Sequence, residues 1–93
     1  MIDAKEVHER MMRDDAEYAR EYNALEEEFS IAQAMIQARS RAGLTQAQVA
    51  ERMGISQPRV ARIESGSNVS LDILRRYAAA TGSKLTLDFQ ADQ

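Results

Sequence analysis

Apolar residues along the chain recur at helical spacing and almost never run together. Tyr18, Tyr22, Leu25 and Phe29 follow at intervals of four, three and four, which draws one narrow stripe down a helix whose other faces are charged. Ahead of them, residues 3–14 predict a polar helix capped by Asp3, with Val7, Met11 and Met12 as its sizeable apolar residues. Asp14 and Glu17 stand at capping-box spacing and predict a fresh helix start. A helix from about Glu27 to Ala42 then turns Ile31, Ala32, Met35, Ile36 and Ala38 inward and stops at Gly43. A bend between Leu25 and Ser30 and one long continuous helix are both compatible with this pattern.

The densest signal lies between Leu44 and Gly66. Thr45 caps a short helix with Gln48 as its box partner, and Ala47, Val49, Ala50 and Met53 form its apolar face. Gly54 supplies the positive φ of a sharp helix end, and Ile55 is the apolar residue of the turn. Ser56 caps a second helix with Pro58 in its first turn; Val60 and Ile63 face inward, while Gln57, Arg59 and Arg62 face out. After the Ser67-Asn68-Val69 loop, Ser70 caps a further helix that packs Leu71, Ile73, Leu74 and Tyr77 and stops at Gly82. Lys84 to Phe89 alternates polar and apolar, which predicts a strand with Leu85, Leu87 and Phe89 on one face. Such a strand needs a partner, either a second copy of the chain or another protein.

Composition narrows the function classes. The 93 residues make one small domain with an appendage. There is no cysteine, so neither disulfides nor thiolate metal sites are available, and the single His8 reads as a solvated helix residue. No paired carboxylates, nucleophile set or metal-spaced ligands occur, so the chain reads as no enzyme, with no cofactor. No apolar run reaches membrane-spanning length and no signal-peptide pattern opens the chain, so the expected location is cytoplasmic.

Charge divides the molecule. Residues 1–28 carry ten acids against four bases, and residues 29–93 eight bases against five acids, giving nets of −6 and +3. The basic part suits phosphate, and the acidic part suits a basic partner that is not DNA. Within the basic part, Gln can pair with adenine N6/N7 and Arg with guanine O6/N7, so Gln57, Arg59 and Arg62 are candidates for base edges. Arg62 can equally reach a phosphate. Gln46, at a helix start, is placed for a phosphate, and Ser67 and Asn68 for backbone contacts. Arg39, Arg41 and Arg52 read as a solvated face, Arg75 and Arg76 as solvated charges or, alternatively, phosphate contacts, and Glu64 as a structural carboxylate accepting backbone N–H bonds near the helix end.

The Leu44–Gly66 block resembles the helix-turn-helix of the Xre-like (lambda-repressor-like) family, from Thr-Gln at its first helix to Ile-Glu-Ser-Gly at the end of its second. The resemblance implies operator contacts at Gln46, Gln57 and Arg62. Pro58, also at a DNA-contact position of the family, departs from the Gln often found there, which removes the basis for a base contact at that position. The whole chain, with its Glu-Tyr-Ala-Arg-Glu-Tyr run ahead of Leu-Glu-Glu-Glu-Phe, resembles a HigA-type antitoxin. That implies binding of a RelE-like mRNA-cleaving toxin of the HigB type, dimerisation, and repression of its own operon. The toxin-binding candidates are Val7, Met11, Tyr18, Tyr22, Leu25 and Phe29, with folding of this arm onto its own bundle or a sister subunit as the rival. The alternative function is a free-standing dimeric repressor.

The expected fold is therefore all-α: an acidic helical arm (1–28), a lambda-repressor-like DNA-binding bundle (29–83), and a C-terminal β-strand and tail (84–93) that pairs copies through Leu85, Leu87 and Phe89.

Overall fold

The computed structural model describes residues 3–91, so the first two and last two residues of the expected arm and tail lie outside it. Five helices follow in order: α1 (Ala4–Asp14), α2 (Ala16–Arg41), α3 (Gln46–Met53), α4 (Gln57–Ile63) and α5 (Leu71–Ala80). The core gathers Met35 and Ala38 of α2, Val49, Ala50 and Met53 of α3, Val60 and Ile63 of α4, and Tyr77 and Ala80 of α5. The alanines in this set let helix backbones approach, while Val49 and Val60 are fully enclosed. Ala47, Ile36 and Leu71, expected to pack inward, are exposed instead. Each lies at the margin of its helix's apolar stripe, where neighbouring residues complete the packing.

The question of a bend between Leu25 and Ser30 is answered by a single uninterrupted helix. Nothing in Glu26-Glu27-Glu28-Phe29 interrupts the backbone ladder, since glycine and proline are absent and glutamate is a good helix former. The 26 residues of α2 span about 39 Å at 1.5 Å per residue, and account for a molecule measuring 50 × 29 × 21 Å. Its C-terminal half belongs to the bundle; its N-terminal half projects away and is accompanied by α1.

The reversal between α1 and α2 is made by one residue. Asp15 ends α1 and caps α2, its carboxylate accepting the Tyr18 N–H at 3.0 Å. The expected cap, Asp14, is the last residue of α1, one position too early for that bond. Folding α1 back brings His8 onto α2: its Nδ1 lies 2.8 Å from the Tyr18 hydroxyl and its ring 4.2 Å from the centre of the Tyr22 ring. His8 is therefore a half-buried packing residue rather than the solvated one expected. Met12 is half-buried as well, and no residue of α1 is fully buried.

The expected C-terminal strand is absent: among the described residues there is no β-structure, and Lys84–Phe89 is irregular. An alternating pattern can orient side chains, but a strand exists only where a neighbour supplies its hydrogen bonds, and one chain offers none here. Leu85 is half-buried instead, in a groove of about 390 Å³ lined by Ile31 and Met35 of α2 and Leu74 and Tyr77 of α5. Leu87 and Phe89 stand out at 71% and 92% exposure. No described helix is long and apolar enough to cross a membrane.

Candidate nucleic-acid interface

Local chemistry determines how α3 and α4 meet. The Gln48 N–H donates to Thr45 Oγ1 at 3.1 Å, and the Thr45 N–H donates to Gln48 Oε1 at 2.8 Å, a reciprocal cap on α3. Gly54 ends α3 at φ 70°, a left-handed conformation that costs glycine little, and the Ile55 N–H returns to the Ala50 carbonyl at 3.0 Å. Ser56 then caps α4, accepting the Arg59 N–H at 3.3 Å. Two arginines tie this unit to α5 in opposite directions. Arg52 of α3 donates to the Ala80 carbonyl at 2.9 Å, and Arg76 of α5 donates to the Met53 carbonyl at 3.0 Å. Each guanidinium satisfies the carbonyl end of the other's helix, so these two arginines are tied down rather than merely solvated as expected.

Burial of Val60 and Ile63 fixes the rotation of α4 and turns Gln57, Pro58, Arg59 and Arg62 outward, all exposed. Ser67 and Asn68 are exposed in the loop beyond, where Asn68 adopts φ 53°. Behind the exposed face lies a carboxylate that collects donors from three helices. Glu64, 4% exposed, accepts from Arg39 Nε at 2.7 Å and Nη2 at 3.2 Å, from Gln46 Nε2 at 2.9 Å and from the Tyr77 hydroxyl at 2.6 Å. Arg39 also donates to the Leu44 carbonyl at 3.1 Å, and the Tyr77 hydroxyl lies 2.8 Å from the Met35 carbonyl. Among the described residues no buried side-chain polar atom lacks a partner.

Burial pushes the Glu64 carboxyl up, but the hydrogen bonds from Arg39, Tyr77 and Gln46 outweigh it and hold it below its ordinary value. The bond to Glu64 raises Arg39 further still, and burial followed by the Glu64 contact drives Tyr77 far above the usual phenol range. Glu64 is structural, as expected, although its donors are side chains instead of backbone. No spacing in the sequence ties Arg39 and Tyr77 to it. The available signal was an acid four residues after Val60, one turn along the inward face, where a carboxylate requires a cation.

Gln46 couples the buried cluster to the exposed face. While Nε2 donates to Glu64, Oε1 accepts from Gln57 Nε2 at 2.7 Å. The amide assigned to phosphate is thus engaged with a neighbour on α4. The remaining candidates are grouped differently from the single stripe expected: Tyr18 and Tyr22 are half-buried against His8, while Leu25 (64%), Phe29 (63%), Val7 (40%) and Met11 (39%) are exposed on the arm. No group of three or more metal-ligating side chains occurs among the described residues.

Residues 35–87, more than half of the chain, match a protein-family model described as Helix-turn-helix. No curated protein and no solved structure gives a match.

Proposed function

The chain belongs to the helix-turn-helix family of DNA-binding transcription regulators, and we propose that α4 is the helix that reads base edges in the major groove of its operator. The observation that carries this reading is the division of α4, with Val60 and Ile63 buried and Gln57, Arg59 and Arg62 exposed together. Gln57 takes adenine and Arg59 guanine; Arg62 serves a base or a phosphate, Ser67 and Asn68 the backbone. Pro58 has no amide and contributes only shape. Gln57→Ala or Arg59→Ala is expected to weaken operator binding by about 1–3 kcal/mol while leaving random DNA nearly unaffected. Equal losses on both duplexes, measured by gel shift, would remove these residues from base reading.

The proposed role of the arm is that of a HigA-type antitoxin: it binds a basic RelE-like toxin while the bundle represses the shared operon. Supporting it are the net of −6 over residues 1–28 and the exposed Val7, Met11, Leu25 and Phe29. An acidic surface bearing apolar anchors fits a cationic protein and is repelled by DNA. Tyr18 and Tyr22 join that surface through their exposed edges. A second reading, a free-standing repressor, is favoured by one observation: His8 already packs on both tyrosines. In either reading Leu87 and Phe89, with Leu85 at their base, form the apolar surface for self-association, which would set two copies of α4 about one DNA turn, roughly 34 Å, apart. Deleting residues 1–25 separates the two roles. The truncated protein is expected to keep operator binding and to lose rescue of cells expressing the basic protein encoded beside it; rescue by the truncated form would rule out the antitoxin role of the arm.

A further inference from the structure

We propose that Glu64, which lies behind the DNA-facing surface, dictates the direction of the Gln57 amide and thereby the base that Gln57 accepts. The inference rests on the base-reading role proposed for Gln57 and extends it inward. An ionised carboxylate only accepts hydrogen bonds. Gln46 must therefore turn Nε2 toward Glu64 Oε1, at 2.9 Å, and its oxygen away. That oxygen also only accepts, so Gln57 must present Nε2 to it, at 2.7 Å. Polarity is passed outward through two amides from a buried charge. Glu64 cannot turn to relax it, because Arg39 Nε and the Tyr77 hydroxyl hold Oε2 at 2.7 and 2.6 Å.

What remains free on Gln57 is one N–H and the oxygen, in a fixed order. Adenine offers an acceptor, N7, beside a donor, N6, and matches that order; guanine offers two acceptors, N7 and O6. A locked amide sets its oxygen against guanine O6. An amide free to flip can turn its N–H there and soften the penalty. The buried cluster therefore contributes to discrimination without touching the duplex, and Glu64 and Gln46 are positioning residues.

Glu64→Gln tests this directly: with its oxygen kept on Arg39 Nε and the Tyr77 hydroxyl, the new amide gives up the 3.2 Å bond from Arg39 Nη2 and offers its nitrogen to Gln46, inverting the relay. The probes are duplexes of the protein's own promoter, with each base pair of the footprinted site changed in turn between A·T and G·C. At the pair read by Gln57, the preference for adenine over guanine is expected to fall about tenfold or reverse, with random-DNA affinity and salt dependence unchanged. Gln46→Leu cuts the relay while leaving the buried ion pair in place; it should lose the same preference without reversing it. In the free protein Glu64→Gln should shift the NMR signals of the Gln57 side-chain amide, two hydrogen bonds away, which a purely structural role for Glu64 would not require; Gln46→Leu, which removes the direct partner of Gln57, should shift them as well. If Glu64→Gln does not fold, Gln46→Leu still overturns the inference should it keep the parental preference, because no hydrogen-bonded path from Glu64 to Gln57 then remains. Folded variants with the parental preference would overturn the inference while the base-reading role stands. If Gln57→Ala itself keeps the preference, the base-reading role fails, and the relay with it.

Discussion

Replacing Gly66 by alanine is expected to destabilise the protein by about 3 kcal/mol or more, combining left-handed backbone strain with a forced backbone shift. Gly66 is buried at φ 78° where the chain leaves α4 and passes against α2. A Cβ there would collide with the Glu28 carbonyl oxygen and lie 2.9 Å from its carbon and 3.1 Å from the Ala32 nitrogen. All three atoms are backbone of a continuous helix, so no side chain can swing aside to make room. Gly54→Ala provides the control: φ is 70°, yet nothing lies within 4 Å of the added carbon, so only the left-handed penalty of about 1–2 kcal/mol applies. Thermal melts should therefore place Gly66→Ala about 12–24 °C below the parent, with Gly54→Ala well above it. Equal melting temperatures for the two variants would mean that α2 and the Gly66 loop are not in contact.

Arg39→Met is expected to cost about 3–5 kcal/mol at neutral pH, because it leaves the Glu64 carboxylate buried without a cation. The side chains of the pair are 20% and 3% exposed for Arg39 and Glu64 respectively, so water cannot take over the role of the guanidinium at the carboxylate. The pH dependence distinguishes this loss from a simple packing defect. In the parent, Glu64 titrates below its unfolded value of 4.5, so its contribution is complete above that pH and falls away as acid protonates the folded state. Without Arg39, its hydrogen bond and charge no longer oppose burial and only Tyr77 and Gln46 do, so the folded carboxyl titrates higher than in the parent and the variant lacks the part of the stability that the parent gains as pH rises. The gap between the two proteins should then shrink toward acid. Urea midpoints measured from about pH 3 to pH 7 should converge at the low end; a gap independent of pH would show that the pair contributes by shape alone.

Features settled within one helical turn were legible in the chain, except the cap of α2, which is Asp15 and not Asp14. Thr45 with Gln48, Ser56 and Ser70 are caps in the structure as they are in the pattern, because each acts on a backbone N–H within three residues. Gly54 is equally local. The outward set of Gln57, Arg59 and Arg62 was readable because Val60 and Ile63 leave α4 only one way to face. Features that depend on distant partners were not. Glu64 finds Arg39 and Tyr77 at separations of 25 and 13 residues, and no periodicity reports such pairs. The continuity of α2 was obscured because its two halves bury different faces, one against α1 and one in the bundle. Alternation in Lys84–Phe89 indicated a strand, but pairing depends on a neighbour that the pattern does not supply. The tyrosine stripe was visible; its cover by His8 depended on a one-residue reversal at Asp15.

The central claim is that α4 meets the duplex while the acidic arm stays clear of it, and amide chemical-shift mapping tests this most directly. Labelled protein would be titrated with a duplex from its own promoter and, separately, with a scrambled one. The expected result is that the promoter duplex shifts the side-chain amides of Gln46 and Gln57 and the backbone from Ser56 to Asn68, leaving Val7 through Leu25 unmoved. Shifts concentrated on α1 and the N-terminal half of α2, with α4 silent, would contradict it.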